Sequence, residues 1–212
     1  MMNIIDMPKL ESPFVREIIN GQYILTPKIT PGYEWVFSDE EVVCMEKLNG
    51  TNVSIIITEG TVTAIFNRTA RVPFINKGKE WITKGVLESY VRGMCELPDG
   101  QHFGELIGKK IQGNPHKIEG HLWIPFNSYG MKHLVYKSWN KYPKTFDNIS
   151  EWFRKEISDG GIFSLYARMK GREEKPEGVV FHNLKTGQMA KLRMDMFAFY
   201  YKQNPNAKSH EN

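Results

Sequence analysis

The sequence predicts an α+β fold in which antiparallel β-sheets carry packed helices. Three observations point there: short β-branched apolar runs broken by turns, two segments with helical apolar spacing, and the absence of any linker, repeat or low-complexity stretch that would divide the 212 residues. The runs "EVVCMEK" (41–47) and "NVSIIIT" (52–58), followed after the turn-like Glu59-Gly60 by "TVTAIFN" (61–67), read as an antiparallel meander. From 78 to 97, Leu87, Tyr90, Val91 and Met94 recur at helical spacing and predict a long helix. Two more strands are expected at "QHFGELI" (101–107) and "HLWIPF" (121–126). A second helix is expected at "NISEWFRKEI", opened by Asn148 or Ser150 as a capping residue. Finally "GVVFHNL" and "MAKLRM" form a hairpin through Lys185-Thr186-Gly187. Residues 1–202 are expected to form one domain, with 203–212 a polar tail prone to fray.

Composition narrows the class of function. The chain is 41% apolar, 12% aromatic and 25% charged, ordinary for a globular protein, and no apolar run reaches the ~18 residues that a membrane span needs. No membrane role is expected. The opening "MMNIIDMPKLESPF" lacks a basic region followed by an apolar stretch, so a cytoplasmic protein is expected. Cys44 and Cys95 lie far apart and read as buried, inert thiols. The six histidines have no metal-ligand spacing, which argues against zinc. With 28 basic against 24 acidic residues, the net charge of +4 permits an anionic partner without dictating one.

The stretch "CMEKLNGTNVSI" (44–55) sets Lys47 between Glu46 and a Leu-Asn-Gly turn, at the end of an apolar run. A lysine that acts as a nucleophile must be neutral when it attacks, so apolar strands and neighbouring cations are the surroundings it needs. Gly50 would let backbone come close to a phosphate.

"EKLNGTN" resembles the Lys-x-Asp/His-Gly nucleophile motif of the covalent nucleotidyltransferases: ATP-dependent DNA ligases, RNA ligases and mRNA capping enzymes. The superfamily's other motifs follow in order. "FNRTAR" is similar to the motif that supplies an arginine, matched by Arg68 with Arg71 as competitor. "HFGELIG" is similar to the one that supplies a glutamate, Glu105. "HLWIPFN" resembles the strand whose aromatic stacks on the base, with Phe126 the candidate and Trp123 its rival. "EGVV" resembles the second glutamate motif and "AKLR" the final basic one. The extended "EKLNGTNVS", "GELIGKKIQGNP" and "MPKLESPFVRE" look most like RNA ligases, including the RNA-editing and phage branch. Capping enzymes and ordinary DNA ligases fit less well, since little chain follows Arg193 for a further domain; no accessory OB domain is expected.

The resemblance implies a nucleotidyltransferase domain, ATP-grasp-like in its ligase chemistry, that performs RNA repair by joining 3′-hydroxyl and 5′-phosphate ends through a lysyl-AMP intermediate. Lys47 would attack ATP, with Lys191 and Arg193 set against the α-phosphate. Glu46, Asn49, Arg68, Glu105, Phe126 and Lys191 would line the nucleotide site. Glu177 would serve magnesium, with manganese as a substitute. RNA ends or nicks are expected ahead of DNA as partner, and a helper protein is one way to supply grip on a duplex. The sequence departs from the family twice. Arg193 replaces the usual lysine, and a wide guanidinium fork is not an equivalent point charge. Asn49 stands where relatives carry an acid or histidine, and an amide neither holds a metal by charge nor acts as a base. Two other readings remain at this point: a minimal DNA ligase, and an end-binding module deficient in sealing.

Overall fold

The computed structural model describes residues 3–75 and 78–207. Its strands in chain order are β1 (Phe14–Ile19), β2 (Gln22–Ile29), β3 (Val42–Lys47), β4 (Thr51–Thr58), β5 (Thr61–Asn67), β6 (Ala70–Val72), β7 (Gly100–Gly108), β8 (His121–Pro125), β9 (Gly178–Asn183) and β10 (Met189–Arg193). The α-helices are α1 (Trp35–Ser38), α2 (Glu80–Val91), α3 (Met131–His133), α4 (Phe146–Arg154), α5 (Leu165–Met169) and α6 (Ala198–Gln203). Every strand pairing is antiparallel, so the α+β class stands. Among the described residues no helix is long and apolar enough to cross a membrane. The expected tail from 203 begins at the last residue of α6, and 208–212 lie outside the described residues.

The chain gathers into two compact units. The first comprises Leu48–Leu134 with the segment that ends at Lys9, and the second comprises Leu10–Lys47 and Val135–Asn212.

The first unit is built on a five-stranded sheet, ordered β6-β5-β4-β7-β8. Alternate residues of β4 (Val53, Ile55, Ile57) join Ile65, Leu106 and Trp123 in one core, covered by Ile82 and Val86 of α2. The expected apolar stripe of α2 is not its packing face: Leu87, Tyr90 and Val91 are exposed. Instead the helix turns its small residues inward. A Cβ on Gly85 would lie 2.6 Å from Leu106 Cδ1 and 2.9 Å from His121 Cβ, and Ser89 Oγ accepts from the Trp123 amide at 2.7 Å. Gly85 and Ser89 thus let the helix backbone approach the sheet closely beside buried Ile82 and Val86.

The second unit holds a three-stranded sheet, ordered β10-β9-β3, and the separate β1-β2 hairpin. The hairpin turns at Asn20-Gly21 with φ of 53° and 76°, the positive pair that a two-residue turn between twisted strands demands. An aromatic core of Trp139, Trp152, Phe153, Phe181 and Phe197 fills the space under the sheet. Helix α4 begins earlier than expected. Thr145 is its cap, its Oγ1 accepting from the Asn148 amide at 3.3 Å, so Asn148 and Ser150 lie inside the helix.

Candidate active site

Strand alternation decides which side chains of the second unit can act together. On β3, Val42, Cys44 and Glu46 point to the aromatic core along with Val179, Phe181, Ala190 and Leu192 of the partner strands. The intervening residues share the other face. Lys47 stands opposite Gly178, which stands opposite Arg193; one row back, Met45 faces Val180 and Val180 faces Lys191. All three cations expected to contact phosphate therefore lie on one sheet face, in adjacent rows.

Lys47 Nζ donates to Glu177 Oε2 at 2.7 Å, with the two side chains 24% and 22% exposed. This charge-assisted contact ties the expected nucleophile to the expected metal ligand. Gly178 keeps the row flat. A Cβ there would collide with the Leu192 carbonyl oxygen and lie 2.7 Å from Arg193 Cα, so only glycine allows β9 and β10 to close here, and no side chain stands between Lys47 and Arg193. The Lys191 amide donates to the Glu11 carbonyl at 2.8 Å, which pins β10 to the chain just before β1.

Arg193 grips Asp195 with a forked pair of bonds, Nε to Oδ1 at 2.9 Å and a terminal nitrogen to Oδ2 at 3.0 Å. Arg16 of β1 lies near this pair. Its guanidinium sits 4.0 Å over the Tyr23 ring. Burial above all, with Arg193 adding to it, pulls its pKa below the ordinary value against opposing effects of Tyr23, Asp195 and Tyr201. Sequence reading missed Arg16, although it lies within "MPKLESPFVRE", and Asp195, which lies two positions past "AKLR".

Glu46 requires a correction. Expected at the nucleotide, it lies on the core face of β3 at 5% exposure. Ser164 Oγ donates to Oε1 at 2.5 Å and the Tyr166 amide donates to Oε2 at 2.8 Å. Ser164 also caps α5 by accepting from the Ala167 amide at 3.0 Å, so the carboxylate and hydroxyl together finish a helix end inside the protein. Burial pushes the Glu46 carboxyl up, with the Ser164, Tyr166 and Leu165 hydrogen bonds working the other way. The two cysteines are as inert as expected: burial raises Cys44 well above the usual thiol range and Cys95 to about 12.

In the first unit, Glu105 lies on β7 in line with Asn52 of β4 and Ile124 of β8, on the sheet face opposite the Val53 and Trp123 core. Gly50 packs directly beneath it: a Cβ would lie 2.7 Å from Glu105 Cγ and 2.5 Å from the Leu106 carbonyl oxygen. The close approach that Gly50 permits is thus to β7. The Asn49 amide donates to His116 Nε2 at 3.1 Å, a partner 67 positions away that no local signal revealed. Phe126 follows β8 directly, opens a π-turn over Phe126–Gly130 and is half-buried, open enough to offer a ring face. Trp123 cannot take that role. It is fully buried, and its Nε1 donates to the Val53 carbonyl at 2.8 Å. Arg68 occupies the β5–β6 turn with φ of 55°, its guanidinium 3.3 Å from Asp6 Oδ2. Arg71 pairs with Phe66 on β6.

Among the described residues no cluster of three or more His, Cys, Asp or Glu could hold a metal ion. Glu177 as one carboxylate fits a hard cation that takes its remaining oxygens from phosphate and water.

A family model described as RNA ligase matches residues 40–193. No curated protein matches significantly. Among solved structures the chain is similar to a Naegleria gruberi RNA ligase with PPi, at 15% identity and a TM-score of 0.53, over 95% of this chain and 64% of that one. It is similar also to a variant of that ligase with ATP and Mn (14%, 0.52, 93% and 62%), and to another with AMP and Mn (14%, 0.52, 96% and 64%). The chain thus spans less than two thirds of the length of these relatives, and at such identity the likeness is one of fold.

Proposed function

Because this chain belongs to the RNA ligase family, whose model covers residues 40–193, we propose that it joins 3′-hydroxyl and 5′-phosphate RNA ends with ATP, through AMP carried on Lys47. The observation that carries this reading is the shared sheet face of Lys47, Lys191 and Arg193, with Glu177 Oε2 2.7 Å from the Lys47 nitrogen.

In the first step Lys47 Nζ attacks the α-phosphorus of ATP. An N–P bond forms, the bond from the α-phosphorus to the bridging oxygen breaks, pyrophosphate leaves and the amine sheds a proton. Glu177 Oε2 already accepts from that nitrogen and is the nearest group to receive it. Lys191 and Arg193 offset the negative charge that develops on phosphate, and Asp195 fixes the plane of the Arg193 fork. Glu105, as an acceptor-only carboxylate, suits ribose hydroxyls, and Phe126 suits the adenine face. When bound at Glu177, magnesium or manganese supplies charge neutralisation to phosphate oxygens. In the second step the AMP passes to an RNA 5′-phosphate and frees Lys47; in the third the 3′-hydroxyl attacks that phosphate and AMP departs. Asn49 lacks the charge its relatives use at this position, so we expect AMP-capped ends to accumulate.

The test is direct. ATP labelled at the α-phosphate, and not at the γ-phosphate, should mark the protein, and Lys47→Ala should abolish the mark. Label that survives in this variant moves the nucleophile elsewhere. Sealing of matched RNA, DNA and mixed nicks at one salt concentration decides the strand; all-DNA joining as fast as RNA joining would promote the DNA ligase reading.

A further inference from the structure

Loop 109–120 connects β7 to β8 and is far more fixed than its polar sequence suggests. Gln112, Asn114 and Lys117 all adopt positive φ (47°, 58° and 51°), an arrangement side chains avoid unless the surroundings impose it. The surroundings do so here. Asn114 Oδ1 accepts from the Ile118 amide at 3.1 Å while its Nδ2 donates to the Ile118 carbonyl at 3.0 Å, and Ile111 is buried as an apolar pin. The product of this strain is one side chain in one place. His116, nine-tenths buried, presents Nε2 to the Asn49 amide at 3.1 Å.

We propose that His116 is a positioning residue for nucleotidyl transfer: its Nε2 holds the Asn49 amide and thereby fixes the turn into which the Lys47 strand runs. The Asn49-Gly50 peptide is constrained on two sides. Gly50 is pressed against Glu105 Cγ and the Leu106 carbonyl, with no room for a side chain, and Asn49 is held by the imidazole. Remove the imidazole and the turn loses one of these two constraints, two residues after Lys47 in the chain. Because Nε2 accepts, it bears no proton, and the neutral ring holds its hydrogen on Nδ1. The proposal rests on the ligase reading only for its functional consequence; the hydrogen bond itself is testable without any chemistry.

The wild-type protein is examined first by NMR for scalar coupling across the N–H···N bond between the Asn49 amide and His116 Nε2. Coupling is expected; its absence overturns the proposal whatever the activity. Lysyl-AMP formation is then followed in single turnover for His116→Ala and His116→Gln, since the Gln side-chain oxygen reaches about where Nε2 lies. The expected result is a rate about tenfold lower for Ala with the ATP concentration dependence changed less than about threefold, and recovery of most of the loss in Gln. An Ala variant at the wild-type rate, or a folded Gln variant as slow as Ala, overturns the positioning role. If Ala does not fold, the Gln variant decides against the wild type: a rate within about threefold supports the positioning role and a loss of about tenfold overturns it. If the wild type forms no lysyl-AMP, the ligase reading fails while the coupling experiment still reports on His116.

Discussion

Replacing Gly178 by alanine tests the geometry that brings Lys47, Lys191 and Arg193 into adjacent rows. The added methyl group would lie 2.7 Å from Arg193 Cα, 0.7 Å short of the 3.4 Å at which ordinary contact begins, and nearer still to the Leu192 carbonyl. Both obstacles are backbone, so no rotamer change relieves them, and β10 must retreat from β9. A retreat of that size takes ladder hydrogen bonds at this row out of their 2.7–3.2 Å range. Overpacking of about 1–3 kcal/mol together with about 1 kcal/mol for each weakened bond gives a loss near 3 kcal/mol, a hundredfold or more in the folding equilibrium. At this chain length that lowers the melting temperature by about 6–12 °C. Urea unfolding followed by fluorescence of Trp139 and Trp152, both in the core beneath this sheet, measures it. Lysyl-AMP labelling of the folded fraction should fall as well, since Lys47 and Arg193 flank the altered row. A variant that unfolds within about 0.5 kcal/mol of wild type and labels normally would show that β9 and β10 are not closed at Gly178 and refute the shared face.

Further expectations follow from other residues. Glu46 has a folded pKa above its unfolded value, so its own contribution to stability is largest in acid and declines as pH rises from the ordinary carboxylate value through the raised one; Glu46→Gln should flatten that decline in urea midpoints taken across the range. A Glu46→Gln profile parallel to wild type would place the carboxyl in a wetter site. Trp123→Phe removes the Nε1 bond to the Val53 carbonyl inside the core and should cost about 2 kcal/mol with ATP use intact, whereas Phe126→Ala should change stability little and raise the ATP requirement. The reverse pattern in calorimetry and labelling would return the base platform to Trp123. Thr145→Ala should destabilise α4 by about 1 kcal/mol, read as a lowered unfolding midpoint; no change would move the cap to Asn148 or Ser150.

Much of this arrangement is readable in the chain, and the failures are instructive. Alternation in "EVVCMEK" puts Glu46 on the side of Val42 and Cys44 and Lys47 on the other, so period two alone separates the buried acid from the half-buried cation; a motif that treats both as one ligand set overlooks it. The same parity in "MAKLR" correctly leaves Lys191 and Arg193 opposite Ala190 and Leu192. The β1–β2 hairpin carries a plain Asn-Gly signal between apolar runs, legible though passed over. Helix α2 misleads because Leu87, Tyr90 and Val91 mark the exposed side, while Ile82, Gly85, Val86 and Ser89 make the contact. His116 has no local signature at all: its role depends on a pairing across 67 positions.

The topology of the second unit also has a consequence for synthesis on the ribosome. Among the named strands the one that ends in Lys47 pairs with β9, Met45 also bridging to Val135, and Lys47 meets Glu177 130 positions later. At about 5–20 residues per second β3 waits roughly 6–26 s for β9. During that interval β4, β5, β6, β7 and β8 can all pair, since every partner within their sheet lies between Thr51 and Pro125. The sheet of the first unit can therefore be complete while Lys47 still lacks Glu177 and its β9 ladder, and the newborn chain acquires these partners only once residues 177–183 have emerged. If Lys47 carries AMP as proposed, chains truncated at successive lengths should thus gain the capacity to take up AMP abruptly once they include β10, and not before.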